Sequence, residues 1–185
     1  MVTYISLLRG INVSGQKKVP MEKLKALYES LGFKNVQTYI QSGNVIFECS
    51  DKDVFVIRNK IELKIRNVFG FDVTVIIRTK DELRKVLERN PFSGKETKFL
   101  CVTFLATTPA SLPREEIASM KHASEEFAIS GREVYLFCPG GYGKTKLSNN
   151  LFERKLKVSA TTRNWTTVQK LLELANTLND RRQPC

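Results

Sequence analysis

The sequence predicts an α+β fold in two halves, each running strand, helix, strand, strand, helix, strand, with one further helix at the carboxyl end. Three observations carry that prediction. Short apolar runs rich in β-branched and aromatic residues alternate with longer runs whose apolar residues recur every three or four positions, the respective periods of strands and amphipathic helices. Their order over residues 3–78 is β-α-β-β-α-β, the split βαβ or ferredoxin-like unit, in which two helices cover one face of a four-stranded antiparallel sheet. A second, similar order begins near residue 97.

TYISLLR (3–9) reads as a strand ended by Gly10, and the polar loop GINVSGQKKV follows. Pro20 opens a helix whose Met21, Leu24, Leu27 and Leu31 share one face, and Gly32 stops it. VQTYI (36–40) and NVIFE (44–48), separated by Gln-Ser-Gly, pair as a hairpin. Ser50 and Asp53 suit the start of a helix that buries Ile57, Ile61, Ile65 and Val68 before Gly70. DVTVIIR (72–78) is the fourth strand, after which Thr79 and Glu82 form a capping box for a helix through Leu83, Val86 and Leu87. Asn90-Pro91 ends that helix, so the first half spans residues 1–90 with its trailing helix, and NPFSGKETK is a linker.

The second half spans residues 97–185. It opens with the strand KFLCVTFLA and a short helix from Pro113 past Met120, and continues with strands EEFAIS and EVYLFC joined by Gly131-Arg132. After the loop CPGGYGKTK come a helix from about Lys146 to Leu156, a short extended VSATT, and a last helix carrying Trp165, Val168, Leu171, Leu172, Ala175 and Leu178 at helical spacing. The two halves repeat in pattern only, because matched side chains between them are too few to show a duplication.

Hydrophobic content of 42% with 26% charged residues is that of a folded globular chain. The net charge of +11, from 30 basic and 19 acidic residues, attracts anionic partners at long range. Residues 131–185 are disproportionately basic, with 10 Lys or Arg against 4 Asp or Glu. Cys49, Cys101, Cys138 and Cys185 lie far apart in sequence, which leaves no zinc knuckle or Cys-x-x-Cys pair and predicts free thiols. The start lacks a secretion signal and no run reaches the roughly 20 apolar residues of a membrane span, so the expected address is the cytoplasm. The single histidine, His122, is expected on a surface helix and could supply at most one member of a triad or metal site. The sequence names no metal and no other cofactor.

Three constellations stand out. CPGGYGKTKLSNN (138–150) has the strand-to-helix setting of a phosphate-binding loop, but Cys138 stands where such a loop needs its first glycine. A turn built on glycines is the plain reading, and an anion held by Lys144, Lys146 and Ser148 near a helix N-terminus is the functional one. SATTRNWTT (159–167) is expected to place Arg163 and Asn164 at the start of the last helix beside Thr162, either as an ordinary N-cap or as an anion site. RGINVSGQKK (9–18) offers Arg9 at a strand's carboxyl end, with Asn12 and Lys18 in the loop, and the neighbouring turn Gln41-Ser42-Gly43-Asn44 is polar. The sheet is unsuited to base stacking: Ser42 and Asn44 stand where an RNA-recognition domain has aromatics, leaving Tyr4 and Phe47.

With RGINVSGQKKVPM, TYIQSGNVIF, NPF, GYGKTKLSNN and ATTRNW in order along nearly the whole chain, the sequence resembles the domain-of-unknown-function 1697 family of bacterial proteins. The resemblance implies a cytoplasmic protein of two ferredoxin-like halves and brings no established activity. It departs at Ser14, where a glycine is expected. The ligand-binding set expected from these motifs is Arg9, Asn12, Lys18, Ser42, Asn44, Lys144, Lys146, Ser148, Thr162, Arg163 and Asn164.

The leading expectation is a protein that binds a phosphate-bearing or other anionic ligand, nucleic acid included. An enzyme acting on a phosphorylated or carboxylated small molecule in a groove between the halves, and a protein-interaction module, are the alternatives. Topology works against a shared site for the loop at 139–146 and the run TTRN. In a split βαβ unit the helix after the third strand starts at the sheet edge opposite the end of the fourth, unless the connection folds over.

Overall fold

The computed structural model describes residues 1–180, so Cys185 lies outside the described residues. The chain forms two compact units, Met1–Arg84 together with the chain from Lys170 on, and Lys85–Gln169. The α+β class and the paired four-stranded sheets agree with the sequence reading.

The first unit holds β1 (Val2–Leu8), α1 (Met21–Ser30), β2 (Lys34–Tyr39), β3 (Asn44–Cys49), α2 (Val54–Phe69) and β4 (Val75–Thr79), after which α3 (Lys80–Glu88) begins. Its strands lie in the order β2-β3-β1-β4, all antiparallel, as a split βαβ unit requires. Alternation decides which residues meet the helices. Tyr4 and Leu8 of β1, Val45 and Phe47 of β3, and Val75 and Ile77 of β4 join Leu24, Leu27 and Tyr28 of α1 and Ile57, Ile61 and Ile65 of α2 in one buried cluster. Each such side chain stabilises the fold by roughly 1.5–3 kcal/mol relative to exposure. Phe33 stacks on Phe47 at 4.6 Å between centroids, the Tyr28 hydroxyl meets the hydroxyl of Ser6 at 2.8 Å, and the Tyr4 hydroxyl donates to the Asp51 carbonyl at 3.1 Å, so both tyrosine tips in this core have partners.

The helix ends follow local chemistry. The Asp53 carboxylate accepts from the amides of Phe55 and Val56, and Gly70 closes α2 at φ +81°. The capping box is present, with the Thr79 amide donating to Glu82 at 2.8 Å and the Glu82 amide to the Thr79 hydroxyl at 3.2 Å.

The second unit holds β5 (Leu100–Leu105), α4 (Arg114–Ala118), β6 (Glu126–Ser130), β7 (Glu133–Phe137), α5 (Asn149–Leu156) and β8 (Ala160–Asn164), from which α6 (Trp165–Asp180) runs on directly. The strand order β6-β7-β5-β8 repeats that of the first sheet. Its core gathers Cys101, Leu105, Val134, Leu136 and Cys138 from the sheet side with Ile117, Leu147, Leu151, Phe152 and Leu156. On the opposite face the Tyr135 hydroxyl donates to the carbonyl of Val86 at 2.9 Å.

Three local expectations are corrected. α4 stops at Ala118, so His122 sits in an exposed turn, its amide donating to Glu125 and its ring beside Ser124, rather than on a helix. α5 begins at Asn149 rather than Lys146, because the Ser148 hydroxyl accepts from the Leu151 amide and caps the helix there. Arg163 and Asn164 belong to β8, not to the start of the last helix. The ladder pairs Val102 with Arg163 and Cys101 with Asn164, and this carries the extended strand up to Trp165. Among the described residues no helix is long and apolar enough to cross a membrane.

Candidate functional site

In the first unit, the loop after β1 is held in shape by its own backbone. Gly10, Asn12, Ser14, Gly15 and Lys17 all take positive φ, and the Gln16 amide donates to the Val13 carbonyl across the tight turn between them. Asn12 clamps this loop. Its side-chain amide donates to the carbonyls of Val19 and Gln41, both at 2.9 Å, and its oxygen accepts from the Val19 amide at 2.8 Å. The hairpin turn completes the joint: Gly43, at φ +78°, packs so close that a Cβ would lie 2.6 Å from Ile11 Cδ1. Asn44 is fully buried and donates to the Tyr39 carbonyl and to Ser42 Oγ. The motifs RGINV and QSGN therefore meet in space, with Asn12 tying loop to turn and Asn44 and Ser42 bonded within the turn itself.

That joint fixes the rim of a cavity of about 560 Å³ lined by Arg9, Lys17, Asn59, Glu62, Leu63, Arg66, Asp72, Val73 and Thr74. Arg9 follows β1 directly, and its amide extends the ladder by donating to the Thr74 carbonyl at 2.9 Å. Lys17 reaches across to the Asp72 carbonyl, Nζ to O 2.7 Å, and its ammonium lies 5.9 Å from the centroid of the Phe71 ring. Arg66 enters from the last turn of α2, its Nε 3.6 Å from Asp72 Oδ1. Glu62, one turn earlier, accepts the Val75 amide at 2.8 Å. Three cationic side chains thus meet in one cleft whose walls are a strand end, a strained loop and a helix. This arrangement can hold a small anion by charge-assisted hydrogen bonds.

Of the expected residues, only Arg9 lines this cleft. Lys18 is exposed and outside its lining, and Lys17 is the lysine that turns in. Sequence reasoning missed Lys17, Glu62 and Arg66. The signal was present for the helix pair: Asn59, Glu62, Leu63 and Arg66 recur at three and four residues opposite the Ile57-Ile61-Ile65 stripe.

In the second unit, the loop after β7 does fold over onto β8. The Tyr142 hydroxyl donates to Thr162 Oγ1 at 3.0 Å, and Thr162 Oγ1 also lies 2.5 Å from Asn149 Oδ1 and 2.7 Å from Thr103 Oγ1. One hydroxyl carries one proton, so the consistent assignment has Thr162 donating to Asn149 and accepting from Tyr142 and Thr103. This small network latches the GYGKTK loop to the TTRN strand.

The latch does not gather the expected charges. Arg163 alternates to the other face of the sheet, where it is 6% exposed and donates to Thr161 Oγ1 at 2.8 Å and the Thr162 carbonyl at 2.9 Å. Burial pushes its guanidinium down to about 10, still charged at neutral pH. Lys144 is exposed in a 3-10 turn, and Asn164 accepts from the Cys101 thiol. The loop amides of Gly141, Lys144 and Thr145 all donate to carbonyls within the loop, so they form no phosphate cradle. Lys146 and Ser148 line a smaller groove of about 280 Å³ with Met120, Asn150, Leu151 and Arg154. Among the described residues no group of three or more His, Cys, Asp or Glu could hold a metal ion.

Comparison with known proteins gives a family and a fold. A family model described as "Protein of unknown function (DUF1697)" matches residues 1–135, which contain the whole cleft. A solved structure, that of the conserved bacterial protein SP0830 from Streptococcus pneumoniae, is similar with a TM-score of 0.70 and 24% identity, covering 94% of this chain and 98% of that one. That likeness concerns the fold alone. No curated protein matches.

Proposed function

Since the chain belongs to the DUF1697 family, whose description assigns no activity, the function has to come from its own residues, and we propose that it binds a small anionic ligand in the cleft of its first unit. The observation that carries this reading is the convergence of Arg9, Lys17 and Arg66 on one cavity of about 560 Å³. That volume lies within the range of small-molecule sites, roughly 300–1,000 Å³. Lys17 adds a physical reason. A lysine at φ +44° is strained, and such strain persists where the surrounding structure holds a side chain to a task.

Nucleic acid is the second reading, favoured by the net charge of +11. The two readings respond differently to salt. Nucleic-acid affinity falls steeply, with a log–log slope of about −0.7 to −0.9 per neutralised phosphate. A single small anion in a partly enclosed cleft gives a shallow dependence. The test is calorimetric titration of the protein with inorganic phosphate, acetate and a short oligonucleotide at two salt concentrations. The expected result is small-anion binding that Arg66→Gln and Lys17→Gln each weaken about tenfold, the loss of one charge-assisted hydrogen bond. Absence of small-anion binding, or binding indifferent to both substitutions, would overturn the assignment to this cleft.

A further inference from the structure

The cleft is not uniformly basic, and its pattern narrows the class of ligand. Glu62 and Asp72 stand among Arg9, Lys17 and Arg66, leaving one excess positive charge in the lining. The two carboxylates are held differently. Asp72 makes a loose, solvent-screened pair with Arg66 at 3.6 Å, both side chains being more than half exposed, so an incoming anion can replace Asp72 as the partner of Arg66 at little cost.

Glu62 is fixed. Its Oε1 accepts the Val75 amide at 2.8 Å, and its other oxygen takes no hydrogen bond from the described residues. A carboxylate oriented by one hydrogen bond, with an acceptor oxygen to spare beside a cavity, is complementary to a donor or a cation. It would repel a second phosphate placed near it.

Building on the anion reading above, we infer that the ligand is a small zwitterion of the amino-carboxylate or amino-phosphate class. Its anionic group lies against Arg9, Lys17 and Arg66, its ammonium against Glu62, and its carbon skeleton beside Leu63 and Val73. The same pattern disfavours polyanions. A polyphosphate or nucleic-acid chain crossing the cleft would bring successive phosphates past Glu62 and Asp72, and like charges at contact distance weaken binding.

Matched pairs that differ only in the ammonium group test this: phosphoethanolamine against ethyl phosphate, and alanine against propionate, each titrated calorimetrically into the full chain. The expected result is that in at least one pair the amino member binds about tenfold or more tightly than its partner. Glu62→Gln, which keeps an oxygen to accept the Val75 amide, should remove that advantage, and because it takes a negative charge out of the lining it should leave the ammonium-free partner bound at least as tightly as before. Melting curves of the variant confirm that it is folded, and the wild-type comparison stands whatever the variant does. Equal affinity within both pairs would overturn the zwitterion assignment and leave the anion reading intact. Tighter binding of a short oligonucleotide than of all four compounds would also overturn it. Binding of none of the four overturns both.

Discussion

Ser14, in the loop after β1, and Gly43, in the hairpin turn packed against that loop, make opposite demands on their positions. Ser14 sits at φ +49° in the turn that the Gln16-to-Val13 hydrogen bond closes, a conformation that costs a residue with a Cβ about 1–2 kcal/mol. Ser14→Gly relieves that cost, offset in part by the extra freedom glycine has when unfolded, so stability in urea should rise by up to about 1 kcal/mol. A fall instead would mean that the serine side chain contributes something this turn geometry does not reveal. At Gly43 the sign reverses. A Cβ there would lie 2.6 Å from Ile11 Cδ1 and 2.8 Å from Leu8 Cβ at φ +78°, so Gly43→Ala should cost about 2 kcal/mol or more, seen as a lower urea midpoint. Because Ile11 and Asn12 hang on this joint, the same substitution should also loosen the rim that aims Lys17. This can be read as weaker anion binding beyond the loss of stability.

At the scale of elements, the latch between the loop 138–148 and β8 predicts a graded response. Thr162→Val removes the hydroxyl at the centre of the network and leaves Tyr142, Asn149 and Thr103 to find other partners, a loss of about 1–3 kcal/mol. Tyr142→Phe removes one peripheral bond and should cost about 1 kcal/mol. Hydrogen exchange localises the effect: amides of residues 139–148 should lose protection in both variants, more in Thr162→Val, while those of β1 and β3 stay protected. Uniform loss across the chain would show that the network supports the whole unit rather than the loop. Most elements could be read in advance because the local signals agreed with tertiary packing, as in the Ile57-Ile61-Ile65 stripe, the Asp53 cap and the Thr79-Glu82 box. Arg163 was misplaced for a physical reason. Three hydroxyl-bearing residues before a tryptophan look like a helix cap locally, but pairing with β5, a partner some 60 residues away in sequence, keeps them extended. The cleft was legible only at Arg9, since a strand end can be inferred from pattern. Whether Lys17 or Lys18 turns inward depends on five left-handed backbone positions that composition does not encode, and Arg66 reads as one more solvated charge on a polar helix face.

For the molecule as a whole, alkaline pH probes the second core. Burial pushes the thiol of Cys101 up to about 12 and that of Cys138 up to about 11, from an ordinary value of 9.0. The folded protein then keeps protons that the unfolded chain releases. This contribution to stability is complete below about pH 9 and is lost as pH climbs toward the folded values. The melting temperature should therefore drop between about pH 9 and pH 11, and Cys101→Ala should flatten that drop, as scanning calorimetry would register. Alkylation near pH 8 followed by peptide mapping should leave Cys101 and Cys138 unmodified in the native protein and modify both once it is denatured. Early modification of either would contradict their burial in the core. The first unit, finally, is not continuous along the chain: it takes in residues up to Arg84 and then those from Lys170 on. A ribosome delivers the amino terminus first and the carboxyl terminus last. The segment from Lys170 on therefore joins the cleft-bearing unit only after the whole of its neighbour has been translated. A messenger truncated in the linker would yield that unit without its last-made segment.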